Sequence, residues 1–237
     1  RDFFRLNNWK DVIAFQTRNP MHRAHYELTI LAMDEQNSKL LIHTVIGMSK
    51  PGDIDHFTRV KCYQHIIKYY PENSVELRLI NLAMRMAGPK EALWHAIIRK
   101  NYGCNRIIIG RDHAGPGVNA EGEPYYQPYD AQELIAQYQE ELEIKMVPFK
   151  EMVFAKNKKT YLPLDKIEQD DPIEKLSGTQ FKELLQQRTE IPTGYSFPEV
   201  IHELRKSFPK LHNQGLTVFF TGLSGAGKST LAKAIMY

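Results

Sequence analysis

Residues 11–25 read DVIAFQTRNPMHRAH. The first six form an apolar run short enough for a buried strand, and too short for a buried helix. Asn19 then suits an N-cap and Pro20 a first helical position, and a helical body over His22 to Glu35 places Leu28, Leu31 and Ala32 on one face. The same succession of strand, polar turn and helix recurs down the chain. Lys39 to Ile46 (KLLIHTVI), Val75 to Ile80, Asn105 to Ile109 (NRIII) and Ile144 to Val147 read as further strands. Between them, His56 to Tyr69, Pro89 to Lys100 and Ala131 to Glu141 read as helices. Short apolar strands alternating with helices predict an α/β fold, a doubly wound Rossmann-like parallel sheet. Such sheets bind ligands beyond the carboxyl ends of their strands, where the strand order reverses. Chemistry is therefore expected in three windows: Gln16 to His25, Gly47 to Asp55 and Gly110 to Gly117.

From Lys156 the texture becomes polar and proline-bearing (KNKKTYLPLDKIEQDDP), an expected excursion away from the sheet. Ser177-Gly178-Thr179 opens a helix to Gln187, and Phe197-Pro198 another to Lys206. Residues 211–216 read as a linker, and Thr217 to Thr221 (TVFFT) as a new buried strand leading into a glycine-rich turn. The expected organisation is a first domain over 1–155, a helical and loop extension over 156–210, and the start of a second domain over 211–237. The chain starts without Met and stops about two turns into a helix, so it reads as an internal piece of a longer polypeptide.

Composition narrows the class. The 237 residues are 42% hydrophobic and 25% charged, ordinary globular usage that argues against a disordered chain. The net charge of +3 is too small to point to nucleic acid, and no run of about 18 apolar residues predicts a membrane span. Two cysteines, Cys62 and Cys104, make neither a disulfide framework nor a zinc set, and favour a reducing, cytoplasmic setting. They read as small buried hydrophobes, and Met33, Met84 and Met86 as core fillers. His43 and His65, inside a strand and a helix, read as packed or solvated rather than liganding.

Three motifs carry chemistry. Gly222-Leu223-Ser224-Gly225-Ala226-Gly227-Lys228-Ser229-Thr230 has P-loop spacing: glycines let backbone N–H groups wrap phosphates, Lys228 reaches the outer ones, and Ser229 offers a hydroxyl to Mg²⁺. A plain glycine turn between strand and helix is the bland alternative. The second motif spans Gln16, Thr17, Arg18, Asn19, His22 and His25. Arg18 suits an oxyanion, and His22 and His25, three apart, share one side of a helix start that attracts anions. A capped surface helix with neighbouring histidines fits the spacing equally well, and a metal pair lacks an obvious third ligand. The third is Gly110-Arg111-Asp112-His113-Ala114-Gly115-Pro116-Gly117, where glycines admit a ligand to the backbone and Arg111 and His113 are potential cations. A loop salt bridge is its default reading.

QTRNPMHRAH (16–25) together with GRDHAG (110–115) closely resembles the ATP sulfurylase (sulfate adenylyltransferase) family; VPFKEMVF (147–154) and LSGTQF (176–181) sit where that family carries related segments. The resemblance covers residues 1 to about 205, and FFTGLSGAGKST (219–230) resembles the opening of adenylylsulfate (APS) kinase. It implies a bifunctional sulfate-activating protein, with sulfurylase before kinase as in fungal and some bacterial fusions. It also implies that the family's amino-terminal domain is missing here. By that resemblance Gln16, Arg18 and Ala114 would hold sulfate. Gln16 to Asn19, Gly110, Arg111, Asp112, His113 and the backbone of Met152 or Val153 would hold ATP, brought in with Mg²⁺. Thr17, Arg18, Asn19, His22 and His25 would be the catalytic set, and Phe149 a residue of a nucleotide-induced rearrangement. Lys182 stands where many relatives carry arginine, which puts that position in doubt. The implied reaction joins ATP and sulfate into APS and pyrophosphate, in a homo-oligomer with no membrane or nucleic-acid partner. A nucleotide-sensing module, or an adenylyltransferase for another acceptor, are the competing readings.

Overall fold

The computed structural model describes residues 1–47, 54–168, 170–192, 194–208 and 217–235. Its centre is a five-stranded, all-parallel sheet of β1 (Val12–Phe15), β2 (Lys39–Val45), β3 (Val75–Ile80), β4 (Arg106–Ile109) and β5 (Lys145–Pro148), in the order β3-β2-β1-β4-β5. Ala14 in the middle pairs with Leu41 on one side and Ile107 on the other. Every residue of β1 is buried, because the central strand of a parallel sheet is covered on both faces. The order reverses between β1 and β4, so the crevice lies between the loops that follow these two strands.

Side chains alternate between two cores. Ile13, Phe15, Leu40, Ile42, Ile108 and Val147 face α2 (Arg23–Gln36) and α3 (His56–Ile67). Val12, Ala14, Leu41, Ile107 and Ile109 face α1 (Asp2–Leu6), α4 (Pro89–Tyr102) and α5 (Asp130–Leu142). The five-residue helix α1 was not expected; Phe4 and Trp9 stack at 5.7 Å and close the second core at its edge. Cys62 and Cys104 are free and buried, and Met33 is in the first core.

The polar stretch after residue 150 is more ordered than its composition predicts. β6 (Met152–Ala155), β7 (Thr160–Pro163) and β8 (Ile173–Glu174) form a small antiparallel sheet, and Lys156 to Lys159 make its hairpin turn. α6 (Gly178–Gln187) begins at Ser177, whose hydroxyl accepts from the Gln180 N–H in a capping box. α7 (Pro198–Lys206) follows. Phe181, Leu185, Val200 and Leu204 from these two helices pack into the first core, so this extension covers one face of the main sheet.

One expectation fails at the carboxyl end. Residues 217–221 form no strand, and Val218 and Phe219 are exposed at 51% and 85%. An apolar run becomes a strand only when a neighbour takes its backbone hydrogen bonds, and no described strand lies against this one. α8 (Lys228–Ile235) does form. The expected linker over 211–216 lies outside the described residues.

Candidate active site

β1 stops at Phe15, and Gln16 is still buried where the chain turns. The next three carbonyls are each held from behind. Thr44 Oγ1 donates to Thr17 O at 3.0 Å, Arg59 Nη1 to Arg18 O at 2.6 Å and Tyr63 OH to Asn19 O at 2.7 Å. Thr44 comes from β2, and Arg59 and Tyr63 from the buried side of α3. These bonds correct the expected helix start. Asn19 does not cap and Pro20 is not the first helical residue, because Asn19 O is taken by Tyr63 and Arg23 N–H goes to Tyr195 O at 3.3 Å. The cap is His22, three residues later, and His25 Nδ1 accepts the His22 N–H at 3.1 Å.

The two imidazoles do not share one cavity. His25 lines a cleft of about 510 Å³ with Gln16, Thr17, Arg18 and Asn19, and also a neighbouring cavity of about 320 Å³. His22 faces only the second space: Nδ1 is 3.0 Å from Ser196 Oγ, and its ring stands edge-on to Phe181 at 4.7 Å. Lys182 lines that second cavity. Desolvation holds the His22 pKa down to about 3, with His25 adding to it, and desolvation holds His25 at about 4. At neutral pH both are uncharged donors rather than cations, so cationic charge on this side of the cleft comes from Arg18.

Gly110, Arg111, Asp112, His113 and Ala114 form the opposite wall of the same 510 Å³ cleft. A methyl on Gly110 would meet nothing within 4 Å, so this glycine borders open space as expected for close backbone approach. Gly115 is small for another reason: a methyl there would collide with Asp112 Oδ1, which folds over it. Asp112 and Ala114 both hold left-handed backbone, at φ 52° and 58°. His113 is also neutral, pushed to about 4 by burial and by the Arg99 charge, so Arg111 is the cation of this loop.

Further lining comes from residues assigned elsewhere or missed. Met84 and Met86, read as core fillers, line the cleft, as do Lys150, Glu151 and Met152. Val153 alternates inward on β6 and is buried; Phe149 is buried too, in the first core. Gln132 was not foreseen: its side-chain amide donates to Ile109 O at 2.8 Å and Phe149 O at 3.0 Å, tying together the ends of β4 and β5. Nor were Glu91 and His95, buried on α4, where His95 Nδ1 is 3.0 Å from His113 Nε2. No sequence pattern marks them, since a Glu–His pair four apart on a helix usually faces solvent. Of the window from Gly47 to Asp55, residues 48–53 lie outside the described residues. Among the described residues no group of three or more His, Cys, Asp or Glu could hold a metal ion.

The glycine-rich turn at 222–230 has the conformation its spacing predicts without the strand. Gly225 and Gly227 take φ of 79° and 75°, and Lys228 Nζ donates to Gly222 O and Leu223 O at 3.0 and 2.6 Å.

The ATP-sulfurylase family model matches residues 1–207, which include both walls of the cleft and the extension over it. The chain belongs to the ATP-sulfurylase family. A sulfate adenylyltransferase of Schizosaccharomyces pombe is 53% identical over 218 residues, covering 92% of this chain and 44% of that protein. One of Mycosarcoma maydis is 48% identical over 235 residues, covering 99% of this chain and 41% of the relative. The chain thus spans less than half the length of these curated family members. The solved structure of a hexameric APS kinase from Thiobacillus denitrificans matches with a TM-score of 0.78 and 32% identity, over 99% of this chain and 44% of that one. No helix among the described residues is long and apolar enough to cross a membrane.

Proposed function

We propose that the full-length protein is a sulfate adenylyltransferase that converts ATP and sulfate to APS and pyrophosphate. The observation that carries this reading is the single cleft into which the strand-order reversal brings Gln16–Asn19 and Gly110–Ala114, in a chain of this family. Sulfate is a weak nucleophile with no proton to remove, so a general base has little to offer. Rate must come from aligning a sulfate oxygen with the α-phosphorus and from spreading the charge that builds there. In this reading Gln16, Arg18 and Ala114 hold sulfate. Thr17, Asn19, Gly110, Arg111, Asp112 and His113 receive the nucleotide, with Met152 and Val153 at the adenine end.

A sulfate oxygen forms the new bond to the α-phosphorus while the bond to the bridging oxygen breaks, and pyrophosphate leaves with that oxygen. His22 and His25, as neutral donors, would stabilise the departing pyrophosphate without holding it as strongly as two cations. Mg²⁺ enters on the triphosphate as part of the substrate. Phe149, whose carbonyl is tied to Gln132, is the proposed pivot of any rearrangement that nucleotide causes.

The segment Gly222 to Thr230 is proposed as the phosphate loop of a kinase that would phosphorylate APS; its spacing and glycine conformations support this. Self-association is proposed from the hexameric relative, and a cytoplasmic setting from two free buried cysteines. The test is pyrophosphate release from Mg-ATP by the purified full-length protein, with and without sulfate. Sulfate-dependent release that Arg18→Ala reduces by at least roughly 10²-fold is expected. Release indifferent to sulfate overturns the reading.

A further inference from the structure

Helix α4 buries a column of ionisable groups. Glu91, His95 and Arg99 lie four apart and are exposed at only 3%, 0% and 0%. His95 occupies the seam between the two loops that wall the cleft. Its Nε2 lies 3.4 Å from the Gln16 side-chain amide nitrogen and 3.5 Å from Glu91 Oε1. Its Nδ1 lies 3.0 Å from His113 Nε2. Each ring nitrogen therefore serves one wall: Nε2 the loop after β1, Nδ1 the loop after β4.

We infer that Glu91 and His95 are a positioning pair that sets the hydrogen-bond polarity of both walls, turning Gln16 into a donor and His113 into an acceptor for what the cleft binds. This rests on the adenylyl-transfer reading for the identity of the ligands, but not for the proton arrangement. Burial and the neighbouring His113 and Arg99 keep His95 neutral, so one of its nitrogens donates and the other accepts. Glu91 decides which. Its two oxygens already accept the Arg85 and Ala87 N–H groups at 2.8 Å each, so it faces His95 as an acceptor and places the ring proton on Nε2.

The effect reaches both walls. Nδ1 of His95 becomes an acceptor, so His113 must donate its Nε2–H and keep a lone pair on Nδ1. At the other end the Nε2–H of His95 needs an oxygen. Gln16 Oε1 is buried with no partner as the amide stands, whereas turning the amide over about its last torsion gives it His95. The Gln16 amide nitrogen is then left to donate into the cleft that Gln16 lines, the polarity a sulfate oxygen requires. His113, by contrast, would accept from a nucleotide hydroxyl or amine and would not pair with a phosphate oxygen.

Two measurements on the full-length protein test this. The first reads ring-nitrogen chemical shifts of ¹⁵N-histidine-labelled protein at pH 7, assigned with His95→Gln and His113→Gln. His95 and His113 are both expected as neutral Nε2–H tautomers. Nδ1–H at either ring, or a protonated ring, overturns the inference whatever the enzyme does. The second compares His95→Leu, which fills the space, with His95→Gln, which offers both a donor and an acceptor. In His95→Leu, kcat/KM for sulfate should fall roughly 10–100-fold, the usual loss when an outer-shell orienting group is removed. Thermal unfolding should change little, and His95→Gln should recover a clear part of the loss. A fully active Leu variant, or a Gln variant no better than Leu, overturns the positioning role. If wild-type protein shows no sulfate-dependent release, the functional reading fails, while the nitrogen shifts still decide the proton arrangement.

Discussion

His25 Nδ1 accepts the backbone N–H of His22 at 3.1 Å, so the ring that lines the cleft is also the ring that closes the start of α2. The acceptor role at Nδ1 forces the proton onto Nε2, and desolvation keeps the ring neutral. Position and protonation state are thus set by a single bond.

His25→Asn keeps a short side-chain acceptor for the cap but loses the ring donor. It is expected to unfold within about 0.5 kcal/mol of wild type while pyrophosphate release drops roughly 10²–10³-fold. His25→Ala should lose the cap as well, costing about 1 kcal/mol. Urea unfolding beside turnover separates the two effects.

His43 in β2 is fully buried, and neither ring nitrogen has a partner. Desolvation, helped by the Arg99 charge, holds its pKa down to about 4, against 6.5 for a free ring. Between those values the unfolded chain binds a proton that the folded chain does not, so stability falls as pH falls through this window. The slope is up to about 1.4 kcal/mol per pH unit. His43→Leu should leave pH 7 stability equal or higher, since it removes unpaired polar atoms, and should flatten the profile between pH 6.5 and 5. An unchanged slope in urea titrations across that range would count against the assignment.

The bonds from Arg59 and Tyr63 to the carbonyls of Arg18 and Asn19 predict a graded pair. Tyr63→Phe removes one neutral hydrogen bond, for about 1 kcal/mol of stability and a modest rise in KM. Arg59→Met leaves Arg18 O without its charged donor and should cost about 1.5–3 kcal/mol. Activity should fall further than in Tyr63→Phe. Equal kinetics in the two variants would mean that the loop does not depend on these bonds.

Ser177 caps α6, the helix whose Phe181 ring supports His22 at 4.7 Å. Ser177→Ala should lower stability by about 1 kcal/mol. Ser177→Asp should retain it. Thermal unfolding of both variants checks this.

Much of this arrangement is legible in the residues. Strands such as VIAF and RIII are continuous apolar runs because both faces of a parallel sheet are covered, and they appear where the pattern places them. The strand-order rule then finds the cleft. What the pattern misses is decided by partners distant in sequence. Asn19 outranks histidine as a cap by local preference, yet Tyr63 and Tyr195 claim the groups a helix at Asn19 would need. TVFFT has strand composition and no described neighbour to pair with. β8 is two residues long, below any periodicity, and Glu91 and His95 look like a solvated pair until the helix is seen against the sheet.

The three carbonyls fastened behind Thr17, Arg18 and Asn19 also bear on the thermodynamics of association. A loop already fixed by β2 and α3 has surrendered its conformational freedom during folding, and none of that loss falls on the binding step. Calorimetry with nucleotide should therefore show a heat-capacity change set by the surface covered in the cleft, without the larger signal of a segment that folds as it binds. Affinity then becomes tunable from residues that never meet the ligand.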